Sequence, residues 1–222
     1  MRRRHLIAMI AAAAAAPVAA LADPPKLPIE KAFPFLAGYL ALSPGQRSLF
    51  YLAYRAFRDK RPTGDAHATI IAGNGARTPV AFDRAGIVMR LPSLAELKSG
   101  AHVEIEGAPF QLGLELRPMT PPSTRVDVGA LAASLAQVNA AASKVAGALS
   151  FMVPKLTAAY FPDGVGGQAQ LADGRLSPLA VVPAPVVGPV PYFEPSTVPG
   201  ARAVVFARAP SRILLGGHPK KT

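Results

Sequence analysis

His102, Glu104 and Glu106 alternate along the segment HVEIE, so an extended strand sends all three side chains from one face. Neighbours on such a face stand about 7 Å apart. An imidazole with two carboxylates is a donor set for zinc or another divalent ion. Glu115, on the strand expected to follow, is placed to join them. The same alternation describes an ordinary wet strand face, and both readings stay open. No other cofactor is implied by any motif.

Tyr51, Tyr54, Arg55, Arg58, Lys60 and Arg61 form the second candidate set, a ligand-binding one. Two aromatic rings precede a cationic stretch, an arrangement able to hold a sugar or a phosphate. Asp59 and Asp65 offset part of that charge, so a solvated basic loop is the alternative. Nucleophilic chemistry finds less. Beyond the N-terminal segment the histidines are His67, His102 and His218, and Ser48, Ser150, Ser177 and Ser211 lack a G-x-S-x-G elbow. Gly164 to Gly167 (GVGG) leads toward an expected strand, whereas a phosphate-binding loop opens a helix. No catalytic residue is assigned.

The elements that must position these groups begin after an address. Arg2, Arg3 and Arg4 precede the apolar run Leu6 to Ala16, and Ala20-Leu21-Ala22 supplies small residues around a cleavage point. This is the order of a secretory signal, and the run falls short of the roughly twenty residues of a membrane span. Residues 1–22 are therefore expected to leave after Ala22, with no transmembrane span remaining and the periplasm as destination. The three arginines do not complete a twin-arginine consensus, which favours general secretion. Cysteine is absent, excluding disulfides, a lipid-modified Cys, thiolate metal sites and a Cys nucleophile. The formal net charge of +11 points to anionic partners such as envelope components, or to solubility alone. Nucleic acid is a poor partner outside the cytoplasm, and no aromatic-basic nucleic-acid signature is present.

Periodicity predicts an α+β fold, an antiparallel β-rich sheet or sandwich with one long helix and one or two short ones. Residues 23–208 read as a single domain with a possible lobe boundary near 118–124, where PMTPPS stands, and residues 209–222 as a basic, loose tail. A helix is expected over Ile29 to Leu42, then an aromatic strand from Leu49 to Phe57. Strands follow at 66–72, 77–82 and 86–91, with Gly73-Asn74-Gly75 as a turn. Ser93 and Glu96 have capping-box spacing. His102 to Glu106 and Phe110 to Arg117 are expected to form a hairpin across Gly107 to Pro109. The long helix runs from Val128 to about Met152 with Asp127 as N-cap. Its apolar seam is Leu131, Leu135, Val138, Ala142, Val145, Leu149 and Met152. Strands are expected at 156–161, 168–171, 175–182 and 203–207, and Pro183 to Pro199 as an irregular stretch.

The order of helix, aromatic strand, Gly-rich turn and GIVMRLPSLAEL (Gly86 to Leu97) resembles small exported proteobacterial proteins of unassigned function. Asp83 to Glu106 is similar to the central strands of transthyretin-like β-sandwiches. The resemblance implies a β-rich lobe and carries no catalytic residue. The expected function is a non-enzymatic periplasmic binding or envelope-associated module with affinity for anionic ligands or for an envelope protein. The alternative is a periplasmic hydrolase, with a metal at His102, Glu104 and Glu106.

Overall fold

The structure is a computed structural model that describes residues 26–146, 155–183 and 188–219. It is an α+β fold of four antiparallel sheets, one long helix and several short ones. Strand β1 (Lys26–Pro28) runs straight into helix α1 (Ile29–Ala32), and α2 (Leu36–Ala41) follows. One continuous helix was expected here, but Pro34 divides it. Proline has no N–H and disfavours helical backbone in the residue before it. Phe33 accordingly leaves the helical region at φ −120°, ψ 66° and Phe35 sits at φ 68°. The apolar spacing still works across the break: Ile29, Phe33 and Leu36 are all buried.

Strand β2 (Phe50–Arg58) turns through Asp59 and Lys60 into the two-residue strand β3 (Arg61–Pro62). Both turn residues have positive φ, 50° and 65°, the twist that a two-residue hairpin requires. Strands β4 (His67–Ile71) and β5 (Arg77–Pro79) form the next hairpin, with Gly75 at φ 83° in its turn. Residues 86–91 make isolated bridges from Ile87 and Val88 in place of the expected strand. Helix α3 (Leu94–Lys98) starts at Ser93, whose hydroxyl accepts from Glu96 N while the Glu96 carboxylate accepts from Ser93 N.

Strands β6 (His102–Glu106) and β7 (Gln111–Pro118) do not form the expected hairpin. They belong to different sheets, one ordered β1-β6-β4-β5 and the other β3-β2-β7. Gly107, at φ 70°, turns the chain out of the first sheet, and β7 then pairs with β2 from Phe50↔Pro118 to Phe57↔Gln111. That long register buries Phe50, Leu52, Tyr54 and Ala56 along one face, which a short hairpin with β6 would forgo.

The second half begins with β8 (Arg125–Asp127) and helix α4 (Val128–Ala146). Asp127 Oδ1 accepts from Ala130 N at 2.7 Å, the expected cap. Leu131, Leu135 and Val138 of the predicted seam are buried, but Ser134 and Ala141 are buried beside them and Val145 is 41% exposed. The stripe is thus wider than a coiled-coil seam, as suits a helix lying on a sheet. Leu149 and Met152 lie outside the described residues.

Strands β9 (Ala158–Tyr160), β10 (Gln168–Leu171), β11 (Leu176–Pro178), β12 (Ala180–Val182), β13 (Val190–Phe193), β14 (Ala201–Val205) and β15 (Leu214–Gly216) complete the fold. They make the sheets β11-β10-β14-β8 and β12-β13-β9-β15. Some segments differ from expectation. The single strand expected over 175–182 divides at Leu179, its halves β11 and β12 belonging to different sheets. The Pro-rich stretch contains β13, with Val190 and Phe193 buried, because prolines at 189 and 191 still permit extended backbone. The presumed tail supplies β15, which pairs with β9 and buries Ile213 and Leu215. No sheet mixes strands from the two sides of residues 119–124, yet β15 lies against β7 and α4 against β2. No helix among the described residues is long and apolar enough to cross a membrane.

Candidate functional site

Strand alternation scatters the aromatic-basic set. Tyr54 is fully buried, donates to Pro34 O at 2.5 Å and meets Phe33 edge-on at 5.2 Å. Arg55 points from the opposite face and is buried too. Arg58 donates to the backbone oxygens of Asp65 (2.8 Å) and Ala108 (3.3 Å), so it ties loops together. Lys60 and Arg61 are exposed on the hairpin. The six residues therefore make no single ligand wall.

The metal set is brought onto one strand but spent elsewhere. Glu104 accepts from Arg77 Nη2 at 2.9 Å and lies 3.9 Å from Lys26 Nζ. Burial opposes its charge, but Arg77, Lys26 and His102 together hold its carboxyl below the usual range. Glu106 accepts from Thr69 Oγ1 at 2.7 Å. His102 Nε2 stays 3.7 Å from Glu104 Oε1. Glu115 is in another sheet and cannot join them. Among the described residues no three His, Cys, Asp or Glu side chains are placed to hold a metal ion. Arg77 and Lys26 have taken the Glu104 carboxylate, and the Thr69 hydroxyl that of Glu106.

Sequence reasoning missed the cluster that does form around Glu115. On the β2–β7 pair, Tyr51 lies opposite Arg117 and Ala53 opposite Glu115. Arg55 Nε donates to Glu115 Oε1 at 2.7 Å, and Arg117 donates to Oε2 through Nε at 2.8 Å and also through Nη2. Arg212, just before β15, brings its Nε to 3.6 Å from Oε1. Its Nη1 donates to Ser211 Oγ at 3.1 Å and lies 3.8 Å from Asp163 Oδ2. Burial works against the Glu115 charge, but the bonds from Arg55 and Arg117 outweigh it and hold the carboxyl below the usual range. Burial pulls the Arg212 pKa down, with Arg55 and Arg117 acting the same way against Glu115 and Asp163. The β2–β7 register sets Arg55 and Arg117 on Glu115, and the docking of β15 adds Arg212, so no local pattern announces the whole cluster.

The opposite face of the same two strands floors a cavity of about 350 Å³. Phe50 and Leu52 of β2 and Leu114 and Leu116 of β7 form the floor. Val138, Ala141, Ala142 and Val145 of α4 make one wall, and Phe35, Tyr39 and Leu42 around α2 make the other, with Leu156 completing the lining. Even Tyr39 offers only its ring, since its hydroxyl donates to Phe50 O at 3.4 Å. The two helices approach where Gly38 faces Val145; a Cβ there would fall 2.5 Å from Val145 Cγ1. Phe35 is 68% exposed in a left-handed conformation that a bulky residue adopts only under strain.

Comparison with protein-family models, curated proteins and solved structures finds no match for this chain. The resemblances read from Gly86 to Leu97 and Asp83 to Glu106 gain no support from them.

Proposed function

We propose that the chain is an exported, non-enzymatic binding module whose ligand is a small aliphatic molecule or single hydrocarbon chain seated between α2, α4 and the β2–β7 sheet. The observation that carries this reading is the cavity itself, lined among the described residues by apolar and aromatic side chains alone. Its volume lies at the lower end of the roughly 300–1,000 Å³ of small-molecule sites. Such a lining offers nothing to orient a polar substrate, whereas each buried methylene contributes about 0.8 kcal/mol. Phe35 adds a large exposed ring at the rim, held in strained backbone of the kind that recurs at ligand clamps. Against the hydrolase alternative stands the use of Glu104 and Glu106 in bonds to Arg77 and Thr69.

The uncharged probe 1-decanol, displacing an environment-sensitive dye, tests the cavity. Saturable displacement by decanol is expected, with affinity reduced at least tenfold in Ala142→Trp, whose indole fills the space from α4. Absence of displacement, or equal affinity in the variant, would overturn the reading. Export is tested separately. Protein recovered from its native host is expected to begin at Asp23, and a retained Met1 in the cytoplasmic fraction would overturn that part.

A further inference from the structure

We infer that Arg117 and Arg212, backed by Arg55, form a binding site for a small oxyanion, the phosphate or carboxylate group of a ligand, on the sheet face opposite the aliphatic cavity. The inference is independent of the aliphatic reading. Three guanidiniums converge on one buried carboxylate, and Glu115 is already committed: Oε1 to Arg55, Oε2 to two nitrogens of Arg117. Arg212 is left short. Its Nε is shut from water and has no hydrogen-bond partner among the described residues. The nearest other carboxylate, Asp163, stands 3.8 Å from Nη1 and its Oδ2 already accepts from Ser211 Oγ at 2.5 Å. Arg208, whose Nη2 reaches Asp163 O at 3.5 Å, adds a further positive charge to this edge.

A lysine in this position could relieve such crowding by losing a proton; a guanidinium cannot. The cluster thus keeps a cationic excess, and its planar forks match the spacing of oxygens in phosphate and carboxylate groups. Arg55 is closed off, 6% exposed and bonded to Ala85 O, so its part is to position Glu115. Arg117 and Arg212 keep 16% and 18% of their side chains open, and Tyr51, directly across from Arg117, is 37% exposed. An oxyanion entering beside Tyr51 meets the open parts of Arg117 on β7 and of Arg212 in the segment before β15.

Calorimetry and thermal unfolding of the full chain with inorganic phosphate and, separately, acetate test this, with chloride at equal ionic strength as reference. A saturable rise in Tm of about 4 °C over chloride is expected with at least one of them. The oxyanion that produces the rise identifies the group as phosphate or carboxylate. Arg212→Gln should weaken binding at least tenfold, measured at a temperature where it remains folded. Arg90→Gln, which alters an exposed arginine paired with Glu96 outside the cluster, should bind as the unaltered protein does. Decanol binding should persist in Arg212→Gln, which separates this site from the cavity. If phosphate and acetate do no more than chloride, or if Arg212→Gln binds as tightly as the unaltered chain, the inference is overturned.

Discussion

Glu115 is the residue on which the cationic cluster depends. Replacing it with Gln leaves Arg55 buried without a counter-charge, a change expected to cost about 3 kcal/mol in urea unfolding. Its pH signature has a definite sign. The folded carboxyl titrates below its unfolded value of about 4.3, so its stabilising contribution is complete above that pH and is lost as pH falls through the folded value. Glu96 and Glu194 are also lowered, so their contributions to stability share this sign and are expected to fall in acid. The difference between the unaltered chain and Glu115→Gln isolates one group: their Tm values should converge progressively as pH falls below the unfolded value of about 4.3. Parallel curves would show that Glu115 is not held by its arginines. Tyr54→Phe is the milder case. It removes the bond to Pro34 O and should cost about 1 kcal/mol.

Helix α4 shows how one element serves both core and cavity. Leu135→Asp places an unpaired charge among buried side chains and should lower stability by several kcal/mol. Lys144 lies exposed and donates to Gln46 Oε1 at 3.0 Å, so Lys144→Glu should change urea unfolding by less than about 0.5 kcal/mol. Val145→Asp belongs between them. Its side chain is 41% exposed, which spares much of the folding cost, but it puts a carboxylate at the cavity and should reduce decanol affinity more than stability. If Val145→Asp unfolds the protein as Leu135→Asp does, the described face of α4 is wrong. The Asp127 cap is a local device, and Asp127→Ala should cost about 1 kcal/mol.

At the scale of the molecule, the strands divide at 119–124 but the core does not. Val126, Leu131 and Leu215 share one buried cluster with Phe50, Leu52 and Val103. A protease nick within 119–124 is therefore expected to leave the two pieces associated in size-exclusion chromatography; separate, independently folded fragments would contradict this. The end of the chain matters for the same reason. Truncation after Pro210 removes β15 with Arg212, Ile213 and Leu215, strips β9 of one partner and exposes β7. Loss of cooperative unfolding is the expected result, where a dispensable tail would leave the melting curve unchanged.

Signals confined to a few neighbouring residues were readable in the chain. Ser93 with Glu96, Asp127 before α4, and Gly75 in its hairpin each act through backbone groups within four positions, so their chemistry is local. The aromatic strand and the cysteine-free, α+β character were equally plain. The alternation of β2 showed that Tyr51 and Arg55 share a face and that Tyr54 lies on the other. It could not show that both faces would be covered, which buries Tyr54 and Arg55 and dismantles the expected ligand wall. Nor does a strand's own pattern name its partner: β6 and β7 adjoin in sequence, yet β7 pairs with β2 because that register buries more. Arg212 meets Glu115 only because β15 docks beside β9 and against β7. Caps and turns are decided by bonds that a short segment makes with itself. Sheet partners, buried charges and cavities are decided by competition among distant segments for the same apolar surface, and that competition is resolved only when the whole chain folds.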